Sequence, residues 1–148
     1  MWTYEQKTGR MLHDGVLVWV GYSGHGEGKN NPDMQHIPNV GPIPVGRYRI
    51  IKPPFNHSLR GPHCLRLEPL PGNQMFGRNG FLIHGDSTKA PGTASHGCIC
   101  KSPLSARKII SEHEDCELEV VRGGVAIEFV DERGEVPAGL KRKEKLNT

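Results

Sequence analysis

Apolar and β-branched residues come in short runs of four to seven positions, broken by glycine-containing turns, and this rhythm predicts strands over most of the chain. Residues 2–6, 10–13 and 16–22 are the first three such runs. Lys7-Thr8-Gly9 and Asp14-Gly15 separate them, so they predict a β-meander with tight turns. Further strands are predicted at 46–51, 64–68, 80–84, 117–121 and 125–130, with Arg122-Gly123-Gly124 turning the last two into a hairpin. One stretch has a helical signature. Ser102 is placed to cap it and Pro103 to occupy its first position, with Ala106, Ile109 and Ile110 spaced to form one apolar face up to about Glu114. Residues 23–45 are rich in Gly, Asn, Pro and His and offer little to bury. They predict one long loop, whose first part, 23–39, either walls a cleft or merely connects strands.

Composition sharpens this picture. At 148 residues the chain fits one domain with its own core, and 19 Gly with 12 Pro disfavour a helical bundle. The expected class is mostly β, a β-rich α+β fold. No apolar run approaches the roughly 20 residues of a membrane span, so membrane insertion is not expected. The formal charge of +3 owes much to Lys141, Arg142, Lys143 and Lys145; the body is nearly neutral and lacks the basic, aromatic-interleaved face of a nucleic-acid binder. Residues 1–136 are therefore expected to form the domain and 137–148 a charged, flexible tail. The opening MWTYEQKTGR has no apolar segment of the signal-peptide kind, which implies that any export depends on another apparatus.

Candidate chemistry is concentrated in residues 81–100, FLIHGDSTKAPGTASHGCIC. A predicted strand delivers His84 at its end, and Ser95-His96-Gly97-Cys98 leads toward the predicted helix. A cysteine nucleophile needs a base to take its proton, and His84 can serve Cys98 in that way. Around Gly97 the backbone can approach a substrate closely, and N–H groups near Gly97 and Cys98 can face a developing oxyanion. A second reading uses the same residues differently: His84, His96, Cys98 and Cys100 offer zinc-ligand chemistry, although Cys98 and Cys100 stand only two apart. Cys64 and Cys116 are expected as small buried side chains without a role. His25, His36, His57, His63 and His113 are expected to be solvated.

The strand-end His84-Gly85, the spacer and the run Ser95-His96-Gly97-Cys98-Ile99 resemble the signature of the L,D-transpeptidase catalytic domain, the YkuD-like fold. Upstream, WTYEQKTGRM, GYSGHGEGKNNPDMQ and NVGPIPVGRYRI are similar to the small L,D-transpeptidase-like toxins that bacteria inject into rivals through type VI secretion. The resemblance implies a β-sandwich or barrel with one main helix after the nucleophile, and a cysteine enzyme acting on peptidoglycan stem peptides. Cleavage would fall between diaminopimelate and D-alanine. Water would complete an L,D-carboxypeptidase reaction and an amine a transpeptidation or D-amino-acid exchange. In the same terms Cys98 is the nucleophile, His84 the base, the Gly85 carbonyl the group that orients His84, and His96 with Gly97 the oxyanion and pocket segment. Action in the periplasm of target bacteria, an immunity protein in the producer and a secretion-apparatus partner follow from the resemblance too, and no cofactor is implied. One position departs from the pattern. Cys100 stands where an arginine is common, so Arg78 or Lys101, with Ser95, become the candidates for substrate contacts. Two rivals carry no catalysis: a wall-binding module with a vestigial Cys98 and His84, and a zinc-stabilised interaction domain.

Overall fold

A computed structural model describes residues 1–126 of the protein. Among the described residues nine strands form one sheet: β1 (Trp2–Glu5), β2 (Arg10–His13), β3 (Val16–Val20), β4 (Tyr22–Ser23), β5 (Gly46–His57), β6 (Gly61–Pro69), β7 (Leu82–His84), β8 (Ile99–Cys100) and β9 (Glu117–Val121). The mostly β class holds, and the meander of β1 to β3 forms as its short apolar runs predict, although the third run, 16–22, breaks at Gly21 and passes Tyr22 to the opposite edge of the sheet. The predicted strand at 125–130, its hairpin, and the boundary between domain and tail lie outside the described residues.

Strand order across the sheet is β3-β2-β1-β9-β5-β6-β7-β8-β4. The two edge strands are consecutive in the chain, and Gly21 alone separates Val20 from Tyr22. A single residue spans less than about 4 Å, so the edges must meet and the sheet rolls up. Only glycine fits this link. A Cβ at Gly21 would sit 2.4 Å from the Cys100 carbonyl oxygen, and one at Gly9 would sit 1.9 Å from the Gly21 oxygen. Inside, Trp2, Tyr4, Met11, Ile43, Tyr48, Ile50, Leu65, Ile83, Ile99, Ile110 and Leu118 share one apolar core.

Residues 23–45 bury more than their composition suggests. Two 3-10 turns, Gly26–Gly28 and Pro32–Met34, give way to Gly41-Pro42-Ile43-Pro44, all buried, with Ile43 fully enclosed. The loop is packed because its polar backbone finds fixed partners, described below. β5 and β6 extend beyond the predicted strands to a long hairpin, with Ser58, Leu59 and Arg60 at its tip and Gly61 at positive φ just after it.

The helix α1 (Leu104–Ser111) begins one residue later than its sequence signature and ends earlier. Pro103 occupies the N-cap, and the Ser102 hydroxyl accepts from the Asp86 N–H at 2.8 Å instead of capping the helix. Its buried face also differs. Ala106 and Ile110 point inward as expected, but Ile109 is 48% exposed and Arg107, 3% exposed, takes the inner position. The guanidinium explains this, because it donates to the carbonyls of His63, Lys101 and Pro62 at 3.0, 2.7 and 3.0 Å. Burial of a charge is tolerable when it is well hydrogen-bonded. Ile110→Ala should therefore cost about 2–5 kcal/mol in denaturant unfolding, whereas Ile109→Ala should change stability by no more than about 0.5 kcal/mol.

Candidate active site

β7 and β8 pair in parallel, with Ile83 opposite Ile99 and His84 opposite Cys100. Opposed residues of paired strands project to the same face, and residues two apart along a strand do so as well. His84 and Cys100 therefore share a face, and Cys98, one residue before β8, is held beside Leu82, whose N–H donates to Cys98 Sγ at 3.4 Å. Cys98 thus precedes a short strand; the helix follows only after Cys100. That strand was invisible in the sequence because two residues carry no periodicity.

Two buried serines hold the Cys98 turn. Ser95 donates from Oγ to the Cys98 carbonyl at 2.6 Å and accepts from the N–H groups of Gly24 and Gly97 at 2.9 and 3.1 Å. One donor and two lone pairs are all used. Ser23 Oγ donates to the Gly97 carbonyl and accepts from the Ile43 N–H, both at 2.9 Å, which ties the turn to the 23–45 loop. The Gly97 N–H is thereby engaged with Ser95, which leaves the Cys98 N–H as the neighbouring backbone donor for an oxyanion. Gly97 itself has φ +134°, and a Cβ there would lie 2.4 Å from Arg78 Nη2.

The candidate substrate contacts fall in three different places. Arg78 is buried, stacked over Phe81, and donates to the carbonyls of Gln35, Pro42, Gly41 and His96 at 2.5, 2.7, 3.0 and 3.4 Å. Its fork is committed to the loop backbone. Lys101 donates to the Val20 carbonyl at 2.8 Å and borders a separate recess with Tyr22, Asp86 and Cys100. Ser95 is fully buried and acts on the turn. His96 is exposed beside His25, their rings 5.4 Å apart.

His84 is 1% exposed, and its Nδ1 lies 2.7 Å from the Gly85 carbonyl oxygen. That contact makes Nδ1 the protonated nitrogen of the neutral ring and leaves Nε2 as the basic one. Burial lowers the His84 pKa, more than the Gly85 carbonyl raises it, and the charges of Arg60 and Arg107 add to the lowering. Burial likewise raises the Cys98 thiol, against the Leu82 N–H and the Arg60 charge. Both groups rest neutral. Cys100 Sγ is 3.6 Å from both His84 nitrogens, so it is not aimed along the lone pair of either. Burial pushes that thiol up to about 12.

Two openings lie at the site, one bordered by Cys98 and the other by His84. One is lined by Asn39, Arg60, Arg78, Asn79, His96 and Cys98 among others, and the second by Arg60, His84, Asp86, Ser87 and Lys89 among others. The 23–45 loop contributes Pro38 and Asn39 to the first, so it walls the cleft as well as connecting strands. Tyr22 and Asp86, which sequence reasoning passed over, fix the 86–94 loop. The Tyr22 hydroxyl donates to Asp86 at 2.5 Å and accepts from the Ala94 N–H at 2.8 Å, while Asp86 accepts from Ser87 and Gly92. Only the pairing of β4 with β8 puts Tyr22 there.

The remaining candidates are dispersed. Among the described residues, the grouping whose potential metal-ligand atoms converge is His13, Asp14 and Asp115; His84, His96, Cys98 and Cys100 do not form such a group. Cys64 is buried as expected and Cys116 only partly so. His57, His63 and His113 are half-buried rather than solvated, because each ring has a polar partner: the N–H groups of Leu59 and Arg60, the Ser111 hydroxyl, and the Asp115 N–H.

The fold defines a mostly β protein of one rolled sheet, with His84 at the end of β7 and Cys98 just before the paired β8. The family model of the Tlde1 domain matches residues 18–121, more than half of the chain, and the protein belongs to this family of type VI secretion effectors. No curated protein matches the chain. No helix among the described residues is long and apolar enough to cross a membrane.

Ser95→Ala should lower stability by about 1–3 kcal/mol in denaturant unfolding, because buried donors of Gly24 and Gly97 lose their acceptor. Ser95→Thr tests crowding separately and should not reproduce the same loss of hydrogen bonds when amide exchange at Gly24 and Gly97 is followed.

Proposed function

We propose that the protein is a cysteine-dependent peptidoglycan enzyme, an L,D-carboxypeptidase with transpeptidase or D-amino-acid exchange capacity, that cleaves stem tetrapeptides between diaminopimelate and D-alanine. The observation that supports this reading is the pairing of β7 with β8: His84, buried and oriented by the Gly85 carbonyl, ends one strand, and Cys98, which borders an opening, stands one residue before the other. Membership of an effector family supports the antibacterial use. Delivery by a type VI apparatus into the target periplasm, and a cognate immunity protein in the producer, complete the proposal.

With both groups neutral, attack is coupled to proton transfer. The Cys98 thiol gives its proton to His84 Nε2 as sulfur bonds to the scissile carbonyl carbon, and the Cys98 N–H stabilises the oxyanion. Collapse breaks the carbon–nitrogen bond, His84 returns the proton to the departing amine of D-alanine, and a thioester remains. Water or an amine then attacks with His84 again as base, and the thiol is regenerated with its proton. Among the described residues no hydrogen bond joins Cys98 to His84, and closure of that gap belongs to the substrate complex.

Cys98→Ala should abolish release of one D-alanine from disaccharide-tetrapeptide, read by mass spectrometry. Cys100→Ala should retain it, since Cys100 borders neither of the two openings at the reactive pair. Undiminished turnover by Cys98→Ala would overturn the reading, and binding without turnover by the wild type would favour a wall-binding module. In cells, the protein fused to a secretory signal should be toxic and the same fusion of Cys98→Ala should not.

The lowered His84 pKa sets a pH dependence. Its folded value lies below the ordinary 6.5, so the unfolded chain takes up the proton first as pH falls. Stability from the neutral ring is complete above about pH 6.5 and is lost as pH drops through the folded value. The acid limb of kcat/KM should lie below 6.5 in a pH–rate profile, and His84→Gln should remove that limb together with most of the activity.

A further inference from the structure

The site as described lacks an identified partner for the carboxylate of its peptide substrate. Arg78 is committed to four carbonyls, Arg107 to three, and Lys101 lies at another recess. Lys29 lies over the Tyr22 ring and donates to the Gly92 carbonyl. Lys89 is exposed and borders only the opening on the His84 side.

Arg60 differs from all of these. It borders both the Cys98 opening and the His84 opening. Its side chain is half-buried, makes one long contact of 3.5 Å to the Ala94 carbonyl, and enters none of the ion pairs among the described residues. Its backbone is nonetheless fixed. At the tip of the β5–β6 hairpin the His57 Nδ1 accepts from the N–H groups of Leu59 and Arg60 at 3.0 and 3.1 Å, so the arginine is presented from a structured turn. A positioned guanidinium with spare donors is suited to a carboxylate.

The chemistry says which carboxylate. In the proposed reaction the departing nitrogen receives its proton from His84, so the leaving residue occupies the His84 side of the cleft. Its α-carboxylate is only two bonds from that nitrogen, and Arg60 lines this side while also reaching the Cys98 opening. We propose that Arg60 binds the free α-carboxylate of the leaving D-amino acid and makes the enzyme selective for stem peptides with an uncapped C-terminus. The inference rests on the peptidase reading above and adds the specificity-determining residue. In this role Arg60 replaces the arginine that the sequence pattern places at position 100.

The test compares kcat/KM for a tetrapeptide ending in free D-alanine with that for the same peptide ending in D-alanine amide. Wild type should favour the acid by about 10- to 100-fold, the range expected for hydrogen bonds to a charged group. Arg60→Gln should reduce that preference to less than about threefold, and Arg60→Lys, a point charge without the fork, should fall between. Because the ratio is read within one protein sample, a variant that is partly unfolded lowers both rates and leaves the ratio intact. Equal use of acid and amide by wild type overturns the proposal without any variant, and so does an Arg60→Gln protein that keeps the wild-type preference. Should wild type cleave neither peptide, the peptidase reading itself fails and the role of Arg60 falls with it. Cleavage of both by wild type with no discrimination sinks only the role of Arg60.

Discussion

Closure of the sheet at Gly21 is the constraint from which the site follows. One residue joins the two edge strands, and the backbone there passes so near Cys100 that any side chain is excluded. Closure sets Tyr22 opposite Cys100 and Ser23 opposite Ile99, so β4 supports the strand that follows Cys98. Ser23 then holds the Gly97 carbonyl, Tyr22 holds Asp86, and the loops on both sides of the reactive pair are anchored to the same two-residue strand.

Loops rather than strands make up much of the buried surface near Cys98, and buried loops carry backbone groups that must be satisfied. Two arginines meet this need. Arg78 gathers the carbonyls of residues 35, 41, 42 and 96, and Arg107 gathers those of 62, 63 and 101. Each desolvates a charge, which is costly alone, yet each offers a planar fork of donors to carbonyls that would otherwise be orphaned. The result is a Cys98 turn held by fixed hydrogen bonds on one side and a histidine-bearing strand end on the other, with Arg60 the cation proposed to meet the substrate.

The electrostatics favour a neutral thiol and a neutral imidazole at rest. Burial acts on both in the direction that disfavours charge. In the proposed reaction such a pair differs from a preformed thiolate–imidazolium ion pair, because the proton moves only when a carbonyl arrives to receive the sulfur. For a protein whose proposed use is to act after delivery, the thiol is then less exposed to adventitious electrophiles and oxidants, which react with thiolates.

Local pattern in the chain determined a good deal. Short apolar and β-branched runs specified β1, β2, β3, β6 and β9, the Ser-His-Gly-Cys run and the His84-Gly85 strand end marked the candidate reactive residues, and the upstream glycine-rich segments pointed to the effector family. Misread were the features whose cause is distant in sequence. Ser102 gave up its cap to Asp86, Ile109 turned outward where Arg107 found carbonyls, and residues 41–44 were buried by partners as remote as Arg78. Arg60, Tyr22 and Asp86 carry no motif at all; they become site residues only when a hairpin tip, an edge strand and a loop converge on His84. Sequence determined which residues have the chemistry, because side-chain type and short-range periodicity are local properties. The tertiary structure alone decided which of them meet, because hydrogen bonds between groups tens of residues apart depend on where the closed sheet brings their backbones together.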